Sequence, residues 1–221
     1  MSIVPDRILR SRRKTLSVSI DSLGRITVRA PMKYPSASIQ QFLQEKEAWI
    51  RKHLARMQAA GISLPEASLD GYRLLLLGEH YQIVLDDGKR VRLLTDERKI
   101  LLPKDNAEEK LRRWLKENAK RIFTEATRIR AEEMGVSYQS VTVSSASTRW
   151  GSCSGENRLR FTFRLLYAPR DVIDYVIVHE LCHTLHHDHS KAFWAAVASV
   201  VPDYQQKRKW LKDRGALLKI L

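Results

Sequence analysis

The 221-residue sequence has no long apolar run, no internal repeat and no low-complexity tract. No hydrophobic stretch approaches the roughly 18 residues that a membrane-spanning helix needs. The basic start, MSIVPDRILRSRRK, lacks the apolar core of a secretory signal. We therefore expect a cytoplasmic protein with no membrane partner.

Cysteine is also scarce, since Cys153 and Cys182 are the only two in the chain. Two cysteines allow at most one disulfide, and a cytosolic chain of this size does not need one. Cys182 falls inside a predicted helix, where we expect a small buried side chain. Cys153 lies in a tight segment and stays open as a metal ligand.

Positive charge, in contrast, is in excess. The chain has 39 Lys and Arg against 25 Asp and Glu, which gives a net charge of +14. Such a surface favours polyanions through counterion release, so proximity to nucleic acid is one hypothesis. No helix-turn-helix, zinc-ribbon or RNA-binding aromatic motif accompanies the charge, so a basic surface without a specific partner is the other. The oligomeric state is unknown at this level.

The apolar pattern predicts an α+β fold with a β-rich N-terminal part, residues 1–104, and a more helical part, residues 105–221. The two parts could also form one continuous domain. The first part is predicted to hold a hairpin, a helix and four short strands, at residues 15–30, 36–57, 72–78, 80–86, 90–95 and 98–102. The second is predicted to hold a long amphipathic helix, two strands and three further helices, at residues 106–134, 141–147, 158–166, 169–187, 190–200 and 203–215. The helix over 169–187 is apolar almost all round, which is typical of a buried central helix.

The segment HELCHTLHHDH, residues 179–189, contains five of the seven histidines. Residues four apart on an α-helix differ by about 40° in azimuth, so His179 and His183 project from one face and can bind one ion. Glu180 lies one step round the helix, where it can act on water rather than bind the ion. The chain must turn after the helix to bring in His189 as the third ligand. This spacing is that of the metzincins, except that His186 stands where their turn glycine stands.

We therefore predict one Zn²⁺ per chain, with an open fourth position and Glu180 as catalytic base. His186 and His187 are expected to be solvated turn residues. Asp174 and Asp188 are candidates to accept hydrogen bonds from the ligands. The motif is followed by Lys191, Phe193 and Trp194, and we expect these side chains to fix the His189 turn to the core.

The segment RWGSCS, residues 149–154, offers further candidates. Arg149, Trp150 or a backbone N–H beside Gly151 could contact the substrate or stabilise an oxyanion. Trp150 could equally be a core side chain beside a turn at Gly151. A Cys153 ligand would make the site similar to that of peptide deformylases.

Three stretches resemble the YgjP-like family of metal-dependent hydrolases, which is related to SprT-like and WLM-type zincins. They are RWGSCS (149–154), LRFTFRLLYAPRDVIDYVIVHELCH (159–183) and HHDHSKAFW (186–194). The resemblance implies a zincin fold, in which an active-site helix packs on a small sheet. It also implies His179, His183 and His189 as ligands, Glu180 as base, and a peptidase acting on a protein or peptide. SprT-type relatives act on DNA-bound proteins, which suits the charge by analogy only.

Three functions remain open at this point. The first is a zinc metallopeptidase. The second is a zinc hydrolase of a small amide or formyl group, which a narrow pocket or a Cys153 ligand would favour. The third is a nucleic-acid-associated accessory module with a structural zinc site, closed by a fourth ligand such as His187 or Cys153. Glu180 argues against the third, because a structural site needs no base.

Overall fold

The computed structural model describes residues 3–20, 24–59 and 69–215, and these form the predicted α+β arrangement. Within these ranges there are six α-helices and three small sheets. They fall into two compact units, one up to residue 59 and one from residue 69. No described helix combines the length and apolar character that crossing a membrane requires. The division into parts at residue 104 stays a prediction.

The first unit packs a three-stranded sheet against helices. Its elements are β1 (Arg7–Ser11), β2 (Ser17–Ile20), β3 (Ile26–Pro31), α1 (Ser36–Glu45) and α2 (Glu47–Ala59). The central strand β3 pairs antiparallel with β2 and parallel with β1. Alternate β3 residues point inward and meet the buried side of the helices, in a core of Ile26, Val28, Ala30, Ile39, Leu43 and Ile50.

Two features of this unit differ from the sequence prediction. Strand β1 was not predicted, because all five of its residues are exposed and show no apolar alternation. The predicted helix over 36–57 is interrupted at Lys46, so α1 and α2 are separate helices. The predicted hairpin is present as β2 and β3, and its turn at residues 21–23 lies outside the described residues.

The second unit begins with a four-stranded sheet made of β4 (Arg73–Leu76), β5 (Glu79–Asp86), β6 (Arg92–Leu94) and β7 (Lys99–Pro103). The strand order is β4-β5-β7-β6, with the central pair parallel and the outer pairs antiparallel. The Leu77 N–H donates to the Leu166 carbonyl at 2.7 Å, which joins this sheet to the segment leading into the fourth helix.

Helix α3 (Ala107–Met134) is the longest element of this unit and matches the predicted amphipathic helix. Its buried residues recur at every fourth position, at Leu111, Leu115, Ala119, Phe123, Thr127 and Ala131. This spacing places them along one face of the helix. Gly135 ends the helix with φ +64°, a left-handed conformation that glycine adopts without a steric penalty.

The remaining elements surround one buried helix. They are β8 (Ser140–Ser144), β9 (Gly151–Cys153), β10 (Arg158–Thr162), a 3₁₀ turn (Phe163–Tyr167), α4 (Arg170–Cys182), α5 (Lys191–Val200) and α6 (Tyr204–Arg214). In the sheet order β8-β10-β9, strand β9 lies at one edge. Helix α4 packs against α3, α5, α6 and β9, so the expectation of a central, buried helix is confirmed. The predicted strand over 158–166 ends at Thr162, where the 3₁₀ turn begins.

An ion pair joins the two longest helices of this unit, α3 and α4. Arg130 on α3 donates two hydrogen bonds to the carboxylate of Asp174 on α4, at 2.7 and 2.6 Å. The two side chains are only 31% and 29% exposed, which reduces screening by solvent. The pair therefore fixes α4 relative to α3.

We expect Asp174→Asn to lower the free energy of unfolding by about 1–2 kcal/mol, because it removes a partly buried, two-point ionic contact. Arg113→Gln is the control, since its pair with Glu109 is exposed and should contribute less than about 0.5 kcal/mol. Urea denaturation of both variants measures the difference. Equal losses would show that the α3–α4 pair does not stabilise the unit.

Candidate metal centre

Two histidines of the site lie on one face of the end of α4. His179 falls within the helix and His183 caps its C-terminus. The two ring centroids are 4.9 Å apart, as expected for residues four positions apart. The sequence prediction extended this helix to residue 187, but its regular part ends at Cys182.

The turn after α4 brings the third histidine back to the other two. Turn hydrogen bonds close the helix, among them His186 N–H to the Cys182 carbonyl at 3.0 Å. The Ser190 hydroxyl then caps α5 by accepting from the Phe193 N–H. His186 is not among the described non-glycine residues with positive φ. The turn therefore needs no left-handed residue, which explains how histidine can replace the glycine found in metzincins.

Phe193 lies beneath all three imidazoles. Its side chain is fully buried, and its ring centroid is 4.9 Å from that of His179, 4.4 Å from His183 and 4.8 Å from His189. Trp194 stacks against His189 at 5.6 Å. These contacts agree with the expectation that Phe193 and Trp194 fix the His189 turn, whereas Lys191 is exposed at the start of α5.

The three imidazoles are close enough to share one ion. One ligand nitrogen from each of His179, His183 and His189 lies within 4.8 Å of the others. The Nε2 atoms of His179 and His189 are 3.2 Å apart. Two imidazole nitrogens bound at 2.0–2.1 Å to one tetrahedral divalent ion would be separated by about 3.3 Å. The donor set therefore fits such an ion.

In the part of the chain that the structure describes, this trio is the one such group of histidine, cysteine or acidic side chains. Cys153 and His187 do not belong to it, so neither supplies a fourth ligand in this arrangement. A three-nitrogen group leaves a coordination position for water or substrate, as catalytic sites do.

The hydrogen-bond partners of the ligands differ from those expected. His183 Nδ1 lies 2.9 Å from the backbone carbonyl of His186, to which its N–H can donate. Asp174 is instead bound to Arg130, and Asp188 accepts from the Ser190 N–H. The Nδ1 atom of His179 is buried without a partner among the described groups. Sequence alone pointed to carboxylates and could not indicate a backbone acceptor.

Burial favours the neutral form of two of the three imidazoles, those of His179 and His183. It lowers the pKa of His179 to about 3, with smaller contributions from His183, His189 and Arg208. Burial also lowers the pKa of His183, opposed by its bond to the His186 carbonyl. Neutral imidazole is the form that binds a metal, so both side chains are prepared for ligation at neutral pH.

Glu180 is buried on the next face of α4. Its residue surface is only 5% exposed, and burial raises its pKa to about 8, with the nearby Arg149 acting in the opposite direction. No described residue donates a hydrogen bond to its carboxylate. A nearby divalent cation would favour the charged form and lower this pKa. The carboxylate is thus available to exchange a proton.

Strand β9 lies directly against Glu180. Gly151 pairs with Phe161 of β10, whose ring meets Phe123 of α3 edge-on at 5.7 Å, so the strand is fixed from behind. A Cβ atom on Gly151 would come 2.5 Å from Glu180 Oε1. Only glycine allows the strand to approach the carboxylate this closely. The sequence prediction left β9 inside a tight segment and missed this contact.

The other candidates from this segment lie at different places. Arg149 is exposed, and its charge acts on Glu180. Trp150 is half-buried beside the end of α6, where its Cζ2 atom would meet a Cβ on Gly215 at 2.8 Å. Packing accounts for this ring, and a role for Arg149 or Trp150 toward substrate stays a prediction. Cys182 is fully buried, as expected.

We expect Gly151→Ala to lower the free energy of unfolding by about 1–3 kcal/mol, because the added methyl overlaps the Glu180 side chain. Gly155→Ala is the control: this glycine lies in the β9–β10 turn, and a Cβ there meets nothing within 4 Å. Chemical denaturation measures both variants. Similar small changes in the two would mean that β9 can move away from Glu180 at little cost.

The comparison with protein families agrees with this geometry. A family model described as a YgjP-like metallopeptidase domain matches residues 14–214, nearly the whole chain. No curated protein and no solved structure matches the chain.

Proposed function

Because the chain belongs to the YgjP-like metallopeptidase family, we propose that it is a zinc-dependent peptidase. In this proposal His179, His183 and His189 hold one zinc ion, and Glu180 is the catalytic base. The substrate is a protein or peptide. Family membership supports a metal-dependent hydrolase, and the remaining detail is argued from the site.

The observation that carries the proposal is the combination of three converging imidazoles with an adjacent buried carboxylate. Three nitrogen donors favour zinc among the common metals, although nickel and cobalt also accept such ligands. Among the described residues, none forms a hydrogen bond or salt bridge with the Glu180 carboxylate, so no structural contact explains an acid at this position. A structural metal site would gain nothing from burying an unpaired acid.

When bound, zinc would lower the pKa of a coordinated water to roughly 7 and polarise the scissile carbonyl. Glu180 then accepts a proton from the attacking water and delivers it to the leaving amine. Burial by α4 and β9 excludes bulk water from this carboxylate, which favours such transfers. Arg149 and the backbone N–H groups beside Gly151 are the groups we propose to stabilise the developing oxyanion.

The alternatives are less well supported. A structural zinc site would need a fourth ligand, and Cys153 and His187 lie outside the described trio. The Cys153 thiol has its pKa raised by burial and by the charge of Glu180, which disfavours the thiolate that binds metal. A small amide or formyl substrate stays possible in chemical terms and is separated from the peptidase proposal by experiment.

The test is metal content by mass spectrometry together with cleavage of casein and a peptide library. We expect wild type and Glu180→Gln to bind about one zinc per chain, and only wild type to cleave. His189→Ala should lose most of the metal, because two imidazoles remain. His187→Ala, which alters an exposed histidine outside the trio, should retain both metal and activity.

Each assay is repeated with DNA, because the net charge of +14 favours a polyanion as an additional partner. Faster cleavage in its presence would support nucleic acid as that partner. Metal binding without cleavage under any condition would favour the small-amide or structural alternative. Absence of metal from the wild type would contradict the proposal.

A further inference from the structure

An arginine and two aromatic rings form a stack beside the histidines. Trp194 of α5 stacks against His189 at 5.6 Å and against Tyr204 of α6 at 5.1 Å. The guanidinium of Arg208, one turn further along α6, lies 5.0 Å over the Trp194 ring. Arg208 is therefore only one ring away from a proposed metal ligand.

The charge of Arg208 is not neutralised by a neighbour. Arg208 is exposed, and no described carboxylate lies within salt-bridge distance of it. The adjacent Lys207 differs, because it is bound by both Asp171 and Asp203. The cation–π contact with Trp194 holds the guanidinium in place and leaves its N–H groups available. Preorganisation of this kind reduces the entropy lost when an anion binds.

The position of Arg208 matches a substrate that extends from the reaction centre. An extended peptide advances about 3.3–3.6 Å per residue, so one intervening ring corresponds to two or three residues. Arg149 adds a second exposed cation near Glu180. A guanidinium can bind a carboxylate through two parallel hydrogen bonds, whereas a lysine or arginine side chain of a substrate would be repelled.

We propose that Arg208, held over Trp194, binds a carboxylate of the substrate, so that the site selects acidic peptides. The carboxylate would lie two or three residues from the scissile bond. This inference rests on the proposed peptidase function and names the substrate class for it.

An acidic peptide suits this surface better than a nucleic acid does. Binding of single strands uses a continuous basic track and aromatic faces free to stack on bases. Here the Trp194 ring already contacts His189, Tyr204 and Arg208. The groove beside Arg208 on α6 is also lined by Lys209, Lys212 and Asp213, so its net charge is positive and favours an anionic substrate.

The test measures binding in zinc-loaded Glu180→Gln protein, which should not cleave. The probes are a fluorescent glutamate-containing peptide, the same peptide with glutamine in place of glutamate, and a single-stranded oligonucleotide. Fluorescence anisotropy gives the dissociation constants. Two further proteins carry a second substitution in the Glu180→Gln background. One has Arg208→Gln. The other has Arg170→Gln, a control that removes the same charge from an exposed position at the far end of α4.

We expect Arg208→Gln to weaken binding of the glutamate peptide about five- to tenfold, because Arg208 is exposed and an exposed ion pair contributes less than a buried charge-assisted hydrogen bond. Binding of the glutamine peptide should be nearly unchanged, and Arg170→Gln should have little effect on either. In active protein, Arg208→Gln should raise KM for the glutamate peptide with kcat little changed. Arg208→Lys should restore part of the loss.

Equal losses for Arg208→Gln and Arg170→Gln would overturn the proposal, since they would reflect overall charge. A loss confined to the oligonucleotide would overturn it in favour of nucleic acid. If wild type cleaves nothing while Arg208→Gln alone weakens binding of the glutamate peptide, the carboxylate site stands and the peptidase function fails. If wild type cleaves both peptides equally well, only the carboxylate site fails.

Discussion

The packing of three imidazoles around the buried ring of Phe193 is the contact on which the site depends. Two of the histidines come from the end of α4, and the third comes from the turn before α5. Phe193 belongs to α5 and contacts all of them, so it holds the two helices in register at the ligands. The burial to which this apolar ring contributes also lowers the pKa of His179 and of His183, which favours their uncharged form. Geometry and protonation state thus have one physical cause.

The electrostatic character of the site follows from the same burial. Its centre contains His179 and His183, whose pKa values are lowered by burial, and a buried acid, whereas its margin carries exposed arginines. A divalent cation in the centre would convert the acid to its anionic form, because the nearby positive charge offsets the cost of burial. The reactive groups therefore depend on one another. The acid would gain its charge from a bound metal, and burial favours the neutral form of His179 and His183.

Local patterns in the sequence predicted the elements that carry strong periodicity. The four-residue recurrence from Leu111 to Ala131 marked α3, and the spacing of His179 and His183 placed both on one face of α4. The missed features depend on long-range contacts. Strand β1 exists because it pairs with β3, and the approach of Gly151 to Glu180 depends on how β9 packs against α4. Asp174 was expected near the ligands, but Arg130, 44 residues earlier, binds it instead.

The hydrogen bond between His183 and the backbone carbonyl of residue 186 also affects how the site tolerates mutation. In many metal sites a carboxylate side chain orients the ligand, so a single codon change can remove that control. Here the acceptor belongs to the peptide backbone, and every amino acid supplies the same carbonyl at that position. The tautomer of this ligand is therefore protected from point mutation at its acceptor. A substitution of residue 186 would therefore keep this acceptor so long as the path of the chain is kept.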